Sequence, residues 1–355
     1  MGETEFAYGW EQLQMTDLQE KINGMFPEFS FSLSDMLNKI MAGDIIGALS
    51  DGLGSVISGM TTEVESVKNV LLSLLLLGII SALLCHFTDV FENHQVADIS
   101  FYLVYLLLIA VLFKCFWEVA NTAKIAVESI VTFIKVFIPT YFVAVGIAGN
   151  VVTAMAGYQL LLILIFVVEQ VLVTIVMPFI YAYVMLSVIN GIWVEERLGT
   201  LLEFMNKCIA FILKSSVGII SGISVFQSMI TPVIDSVKSG TVKKAVSMVP
   251  GIGNLADGMT EIMIGSAVLI KNSIGVVFLI LLLAICVVPM IKIFLIAGSL
   301  KVSAALMGIV SDKRIVGCTN KVGEGSFLLM KTTATAMLLF VILIAIAAYT
   351  TNRGF

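Results

Sequence analysis

The sequence predicts an all-α, polytopic integral membrane helical bundle of about seven spans, with six to nine admitted, and amphipathic interfacial or re-entrant helices beside them. Three observations predict it. The composition is 59% hydrophobic and only 13% charged, whereas soluble domains carry about 25% charged residues. The mean hydropathy is +1.05. Long apolar runs occur at Val70–Phe87, Ile99–Phe113, Val151–Val168, Val171–Val188, Ile274–Val288 and Met337–Tyr349. With their flanks, several reach the roughly 20 residues that cross a bilayer as a helix.

Charge is unevenly spread. Residues 1–98 hold 14 Asp/Glu and 3 Lys, and the remainder holds 11 Asp/Glu and 17 Lys/Arg. The head is acidic and the body mildly basic. Only three arginines occur, Arg197, Arg314 and Arg353, so no nucleic acid is expected as a partner. The five cysteines are scattered and form no CxxC pair, which reads as small buried hydrophobes. His86 and His94 flank Asp89 and Glu92, a stretch read as a solvated loop.

Taken in chain order, the elements fall into four regions: 1–66, 67–228, 229–272 and 273–355. Residues 1–30 read as an acidic exposed segment. The opening Met1-Gly2-Glu3-Thr4 has no basic n-region or apolar h-region, so no signal peptide is expected. From Ser34 to Met60, apolar residues such as Leu37, Ile40, Met41, Ile45 and Leu49 recur at three- and four-residue steps. Asp35, Lys39, Asp44 and Asp51 fall between them. That is helical periodicity with two faces, and it predicts one or two amphipathic helices outside the spans. Ser34 is the expected cap, and Gly43 is among the expected breaks.

The spans are expected over 67–87, 99–119, 125–147, 160–188, 206–228, 273–295 and 327–350. The nearly unbroken apolar tract 151–190 is about twice as long as a spanning helix needs. It must bend or split, and Gly157, the Glu169-Gln170 pair and Pro178 are the expected break points. Between the fifth and sixth spans, 229–272 reads as an amphipathic connector around Pro250-Gly251.

Charged residues inside apolar tracts are the candidate functional residues, because a charge at the bilayer centre is costly and normally faces protein or water. Glu128 and Lys135 are seven apart, on one helix face, where they could line a polar path. Glu169, between two long apolar tracts, is the best candidate for a buried ionisable group. In the connector, Lys238, Lys243, Lys244 and Lys271 are candidate docking residues for a partner subunit. No Walker loop, HExxH or GxSxG pattern occurs. Neither catalysis nor a cofactor or metal is expected.

Pro139 and Pro178 are 39 residues apart, as are Pro250 and Pro289. This weak echo of a repeat, with Glu169, keeps a secondary transporter or permease for a small solute as the alternative function.

The stretch from Pro232 to Leu306 resembles the stage III sporulation protein AE family of endospore-forming bacteria. The resemblance is carried by Asp235-Ser236-Val237-Lys238, Val249-Pro250-Gly251-Ile252-Gly253 and Ala267-Val268-Leu269-Ile270-Lys271-Asn272-Ser273-Ile274-Gly275. Pro289-Met290-Ile291-Lys292 and Leu300-Lys301-Val302-Ser303-Ala304-Ala305 complete it. The resemblance implies a membrane subunit of the channel or secretion-like complex joining mother cell and forespore, required for endospore development. It implies location in the mother-cell membrane around the forespore. The implied partners are the other proteins of the same operon, including a secretion-type ATPase and ring-forming subunits, and a forespore membrane protein. The lipid bilayer is the further partner, and a homo-oligomer is admitted. Members of the family usually begin with a signal sequence, which would place the acidic head outward. The distribution of lysines places the N-terminus on the cytoplasmic side instead.

Overall fold

A computed structural model describes residues 19–20, 32–48, 50, 68, 72–73, 75–76, 78–80, 83, 94–147, 163–164, 166–168, 170–192, 197–246, 253–309 and 311–352. The elements among them are all helical, as an apolar chain in lipid requires, since each helix satisfies its own backbone polar groups. Helix α1 spans Leu33–Met41 and α2 spans His94–Ile147. A π-helical segment, Gln170–Val176, leads into α3, Met177–Asn190. Helix α4 spans Gly199–Val246, α5 spans Gly253–Met307 and α6 spans Lys313–Asn352.

Among the described residues, five helical stretches are long and apolar enough to cross a bilayer: four lie in α2, α4, α5 and α6, and the fifth, Phe166–Asn190, runs through the π segment into α3. The spans expected over 99–119 and 125–147 form one continuous helix, α2. Asn121 and Lys124 mimic a loop in the sequence, but they lie on the exposed face of that helix. With 54 residues, α2 is about 80 Å long. The expected span over 67–87 lies largely outside the described residues.

Within the stretch Ser34–Met60, α1 is amphipathic, and residues 51–60 lie outside the described residues. Met36, Leu37 and Ile40 are buried in the common apolar core while Asp35 and Asn38 face outward, and the helix packs on α5. The cap is Ser32, not Ser34: its hydroxyl accepts from the Asp35 amide at 3.3 Å. Ser34 is already inside the helix, where its hydroxyl only meets that of Ser32. Helix α1 ends at Gly43, whose φ of +86° is the left-handed geometry that favours glycine. Asp44 then starts a new helical turn by accepting from the Gly47 amide at 2.9 Å.

Of the expected break points in the long apolar tract, Gly157 and Glu169 lie outside the described residues, and the irregularity that is described lies between Gln170 and Pro178. Pro178 has no N–H to give to Thr174, and the wide π turn immediately before α3 absorbs the missing bond. Leu172 and Val176 stay buried through the π segment.

Helix α6 is the hub. It packs against α5 most extensively and also against α2, α3 and α4. Its interior face carries small polar residues, and each buried hydroxyl donates to the carbonyl one turn back. Thr319 bonds Ile315, Ser326 bonds Val322, Thr332 bonds Leu328 and Thr333 bonds Leu329, at 2.9 to 3.2 Å. Such side chains let backbones approach closely without leaving a polar atom unpaired.

Candidate functional site

The densest polar cluster among the described residues joins α3, α5 and α6 around Glu324. Lys301 of α5 reaches Asn320 Oδ1 at 2.7 Å and Glu324 Oε1 at 3.3 Å. Lys321 lies 3.5 Å from Glu324 Oε2. The Tyr183 hydroxyl of α3 donates to the same oxygen at 3.0 Å, and the Asn320 amide donates to Oε1 at 3.4 Å. Both Lys301 and Glu324 keep about a third of their side chains exposed.

The local sequence explains how one carboxylate reaches two helices. Glu324 sits between Gly323 and Gly325. A Cβ on Gly323 would press on Lys301 Cγ at 3.3 Å, and one on Gly325 would collide with Val184. The two glycines therefore let α6 touch α5 on one side and α3 on the other. Sequence reasoning missed this cluster. Its signal was present: a Gly-Glu-Gly triplet in a helix with Lys321 one turn before it.

A second polar group closes the α5–α6 turn. Asp312 accepts from the Arg314 amide at 2.8 Å and from its Nε and a terminal guanidinium nitrogen at 3.2 Å. The guanidinium lies over the Phe101 ring at 3.5 Å, which ties the turn to α2. Burial pushes the Asp312 carboxyl up, but hydrogen bonds and charge from Arg314 outweigh it and hold the group below the usual aspartate range. At the same end, the Asn190 side chain accepts from the Leu198 amide at 2.9 Å, bridging α3 to the start of α4.

The residues singled out from the sequence are placed differently. Glu128 and Lys135 share the exposed face of α2. Glu128 is half exposed and lies 3.8 Å from Lys124 Nζ. The structure does not bring them to the cluster around Glu324. Glu169 lies outside the described residues. Lys238, Lys243 and Lys244 fall in the last turns of α4, and Lys271 lies within α5; their side chains are outside the described set. The connector expected over 229–272 is in large part an extension of its neighbours, because α4 continues to Val246 and α5 begins at Gly253. One cross-helix ion pair sits in mid-bundle, Lys292 of α5 to Glu118 of α2 at 3.3 Å.

A family model described as stage III sporulation protein AE matches residues 31–351. Stage III sporulation protein AE of Bacillus subtilis (strain 168) is 23% identical over 325 residues, covering 91% of this chain and 81% of that protein. No solved structure matches the chain.

Proposed function

The chain belongs to the stage III sporulation protein AE family, and on that premise we propose that it is a non-enzymatic membrane subunit of the channel or secretion-like complex between mother cell and forespore. The observation that carries the reading is the family match over residues 31–351 on a bundle whose described residues include five helical stretches long and apolar enough to cross a bilayer. The subunit sits in the mother-cell membrane around the forespore. Its partners are the other proteins of the same operon, with a secretion-type ATPase and ring-forming subunits among them, and a forespore membrane protein across the gap.

The long helices support this placement. At 48 and 55 residues, α4 and α5 run about 70 and 80 Å, well beyond the roughly 40–45 Å of a whole bilayer. Their continuations carry Lys238, Lys243, Lys244 and Lys271, which we assign to partner docking through charge complementarity.

The test is recovery of partners in detergent from sporulating cells. Reversing Lys243 and Lys244 to Glu should leave membrane insertion intact, reduce partner recovery and stop forespore development after engulfment. Normal sporulation with the same partners recovered would refute the docking assignment. Solute exchange by the purified chain alone in proteoliposomes would favour a transporter instead.

A further inference from the structure

Side-chain contacts set the helices level with one another. The Arg314 guanidinium of α6 covers the Phe101 ring of α2, and the Tyr105 hydroxyl reaches Val188 of α3. Further along α2, Phe116 meets Tyr181 of α3 at 6.0 Å between ring centroids, and Glu118 pairs with Lys292 of α5. Ile99, Leu103, Leu106 and Leu107 of α2 are exposed and apolar, as are Met185 and Ile189 of α3 at the same level. Lys114 and Trp117 follow on α2, both exposed, a pairing that suits a membrane–water interface. Residues 99–117 rise about 27 Å, close to the thickness of a hydrocarbon core. This is the lipid-facing level of the bundle. The stretch 273–291 of α5 lies beyond it, and none of its described side chains is exposed, so its apolarity serves the core.

The same level is charged on the side where α6 lies between α4 and α5. On α6 it starts at Arg314, and the Phe294–Phe327 contact brings Lys331 to the Glu118–Lys292 end. Helix α4 starts beside the end of α3 through the Leu198–Asn190 bond and packs along α3 and α6. Lys214, sixteen residues past Leu198, reaches that end too. Glu203 and Lys207 of α4 pair at 2.7 Å, with side chains 66% and 75% exposed. The charge of Lys321 acts on Glu203 across the α4–α6 contact, and Glu324 joins Lys321 to Lys301 of α5. A row of alternating charge thus crosses from α4 over α6 to α5, level with the exposed leucines of α2.

Along α6, Gly317, Lys321, Glu324 and Lys331 recur at helical spacing and form one stripe. Gly323 lies against Lys301 on one side of it, and Lys321 meets α4 on the other. The stripe is the floor of a furrow, with α4 and α5 as its banks. A Cβ added at Gly317, or at Gly298 between Phe294 and Lys301 on α5, would meet nothing within 4 Å. The furrow is open.

Lipid is a poor neighbour for it, because charges at mid-bilayer are among the costliest placements. An apolar helix laid over the furrow would leave the row as poorly solvated. Water solvates it.

We propose that the furrow between α4 and α5 is one wall of a water-filled path through the membrane, closed on its open side by neighbouring subunits. Five lysines, at 207, 214, 301, 321 and 331, stand against the two carboxylates of Glu203 and Glu324, so the path favours small anions over cations. The inference rests on the membrane-complex reading above and deepens it.

The test uses native membranes from sporulating cells, so that the assembly is intact. Gly317→Cys and Gly298→Cys each add a thiol to the furrow without changing its charge. Leu107→Cys is the control on the lipid-facing side of the same level. Each is treated with membrane-impermeant thiosulfonates bearing either a sulfonate or a trimethylammonium group. Rates are corrected for the unsubstituted chain and for intrinsic reactivity with free cysteine. The furrow thiols should react at least about tenfold faster than Leu107→Cys, with the sulfonate ahead of the ammonium by several-fold. Adding Lys331→Gln should shrink the sulfonate's lead. Furrow thiols no more reactive than the control would overturn the path, and equal corrected rates for the two reagents would overturn the anion preference. Partner recovery is read separately. A Gly298→Cys chain that co-purifies its partners yet stays unreactive refutes the path alone, whereas failure of the unsubstituted chain to recover partners refutes the complex itself.

Discussion

The Tyr105 hydroxyl of α2 donates to the backbone carbonyl of Val188 in α3 at 2.8 Å, and both residues are buried. Gly191 lies directly against that hydroxyl, so a Cβ there would collide with it. The bond and the glycine together set how closely the start of α2 meets the end of α3. Tyr105→Phe should cost about 0.5–1.5 kcal/mol, the net value of one hydrogen bond. Gly191→Ala should cost more, because it displaces the tyrosine. Thermal unfolding in detergent, followed by tryptophan fluorescence, checks the order of the two. A larger loss in Tyr105→Phe than in Gly191→Ala would contradict it.

Removing the carboxylate at Glu324 leaves Lys301 and Lys321 facing one another without their shared partner. Glu324→Gln should destabilise the bundle by about 1–3 kcal/mol, a range set by charge-assisted hydrogen bonds and reduced here by partial exposure. Combining it with Lys301→Met should cost less than the two single changes added. A double-mutant cycle measures that coupling, and strict additivity would show that the ion pair contributes nothing.

The α5–α6 turn should weaken in acid. The Asp312 carboxyl is held below its ordinary value in the folded chain. Its contribution is therefore fully present above the unfolded value of about 3.9. It is lost as pH falls through the lower folded value. The acid limb of a stability–pH curve should become shallower in Asp312→Asn. An unchanged acid limb would show that other carboxyls carry it.

The π segment before Pro178 holds one residue more than an α-helix of the same span, since its bonds reach one residue further. Deleting Val173 should convert it to regular α-helix while keeping Leu172 and Val176 on the buried side. Deleting Met185, within regular α3, should instead rotate everything upstream by about 100°. The Val173 deletion should accumulate in the membrane to a greater degree than the Met185 deletion. Equal accumulation would count against the bulge.

How much of this was legible in the sequence varies by element, for physical reasons. The periodicity of Leu37 and Ile40 named the buried face of α1, because a short amphipathic helix has only one way to pack. Glu169-Gln170 and Pro178 bracket the break before α3, because proline removes a donor wherever it stands. The merging of two expected spans into α2 was not legible. Lys124 and Glu128 lower local hydropathy as a loop would, and only the fold shows them as one exposed face of an unbroken helix. The Glu324 cluster was hidden for a related reason: its partners Tyr183 and Lys301 lie 141 and 23 residues away in sequence. Lysines at 238, 243, 244 and 271 fall on helices that the sequence divided into a separate connector.

The position of α6 as the common partner of α2, α3, α4 and α5 has a consequence for biogenesis. It is the last of these helices to leave the ribosome, so the earlier ones must enter the membrane before their shared neighbour exists. The faces they turn toward α6, with Tyr183 of α3 and Lys301 of α5 among them, lack Glu324 until it arrives. A nascent chain stalled before Lys313 would leave the Tyr183 hydroxyl and the Lys301 ammonium without the carboxylate that joins them, at a cost to the assembled bundle.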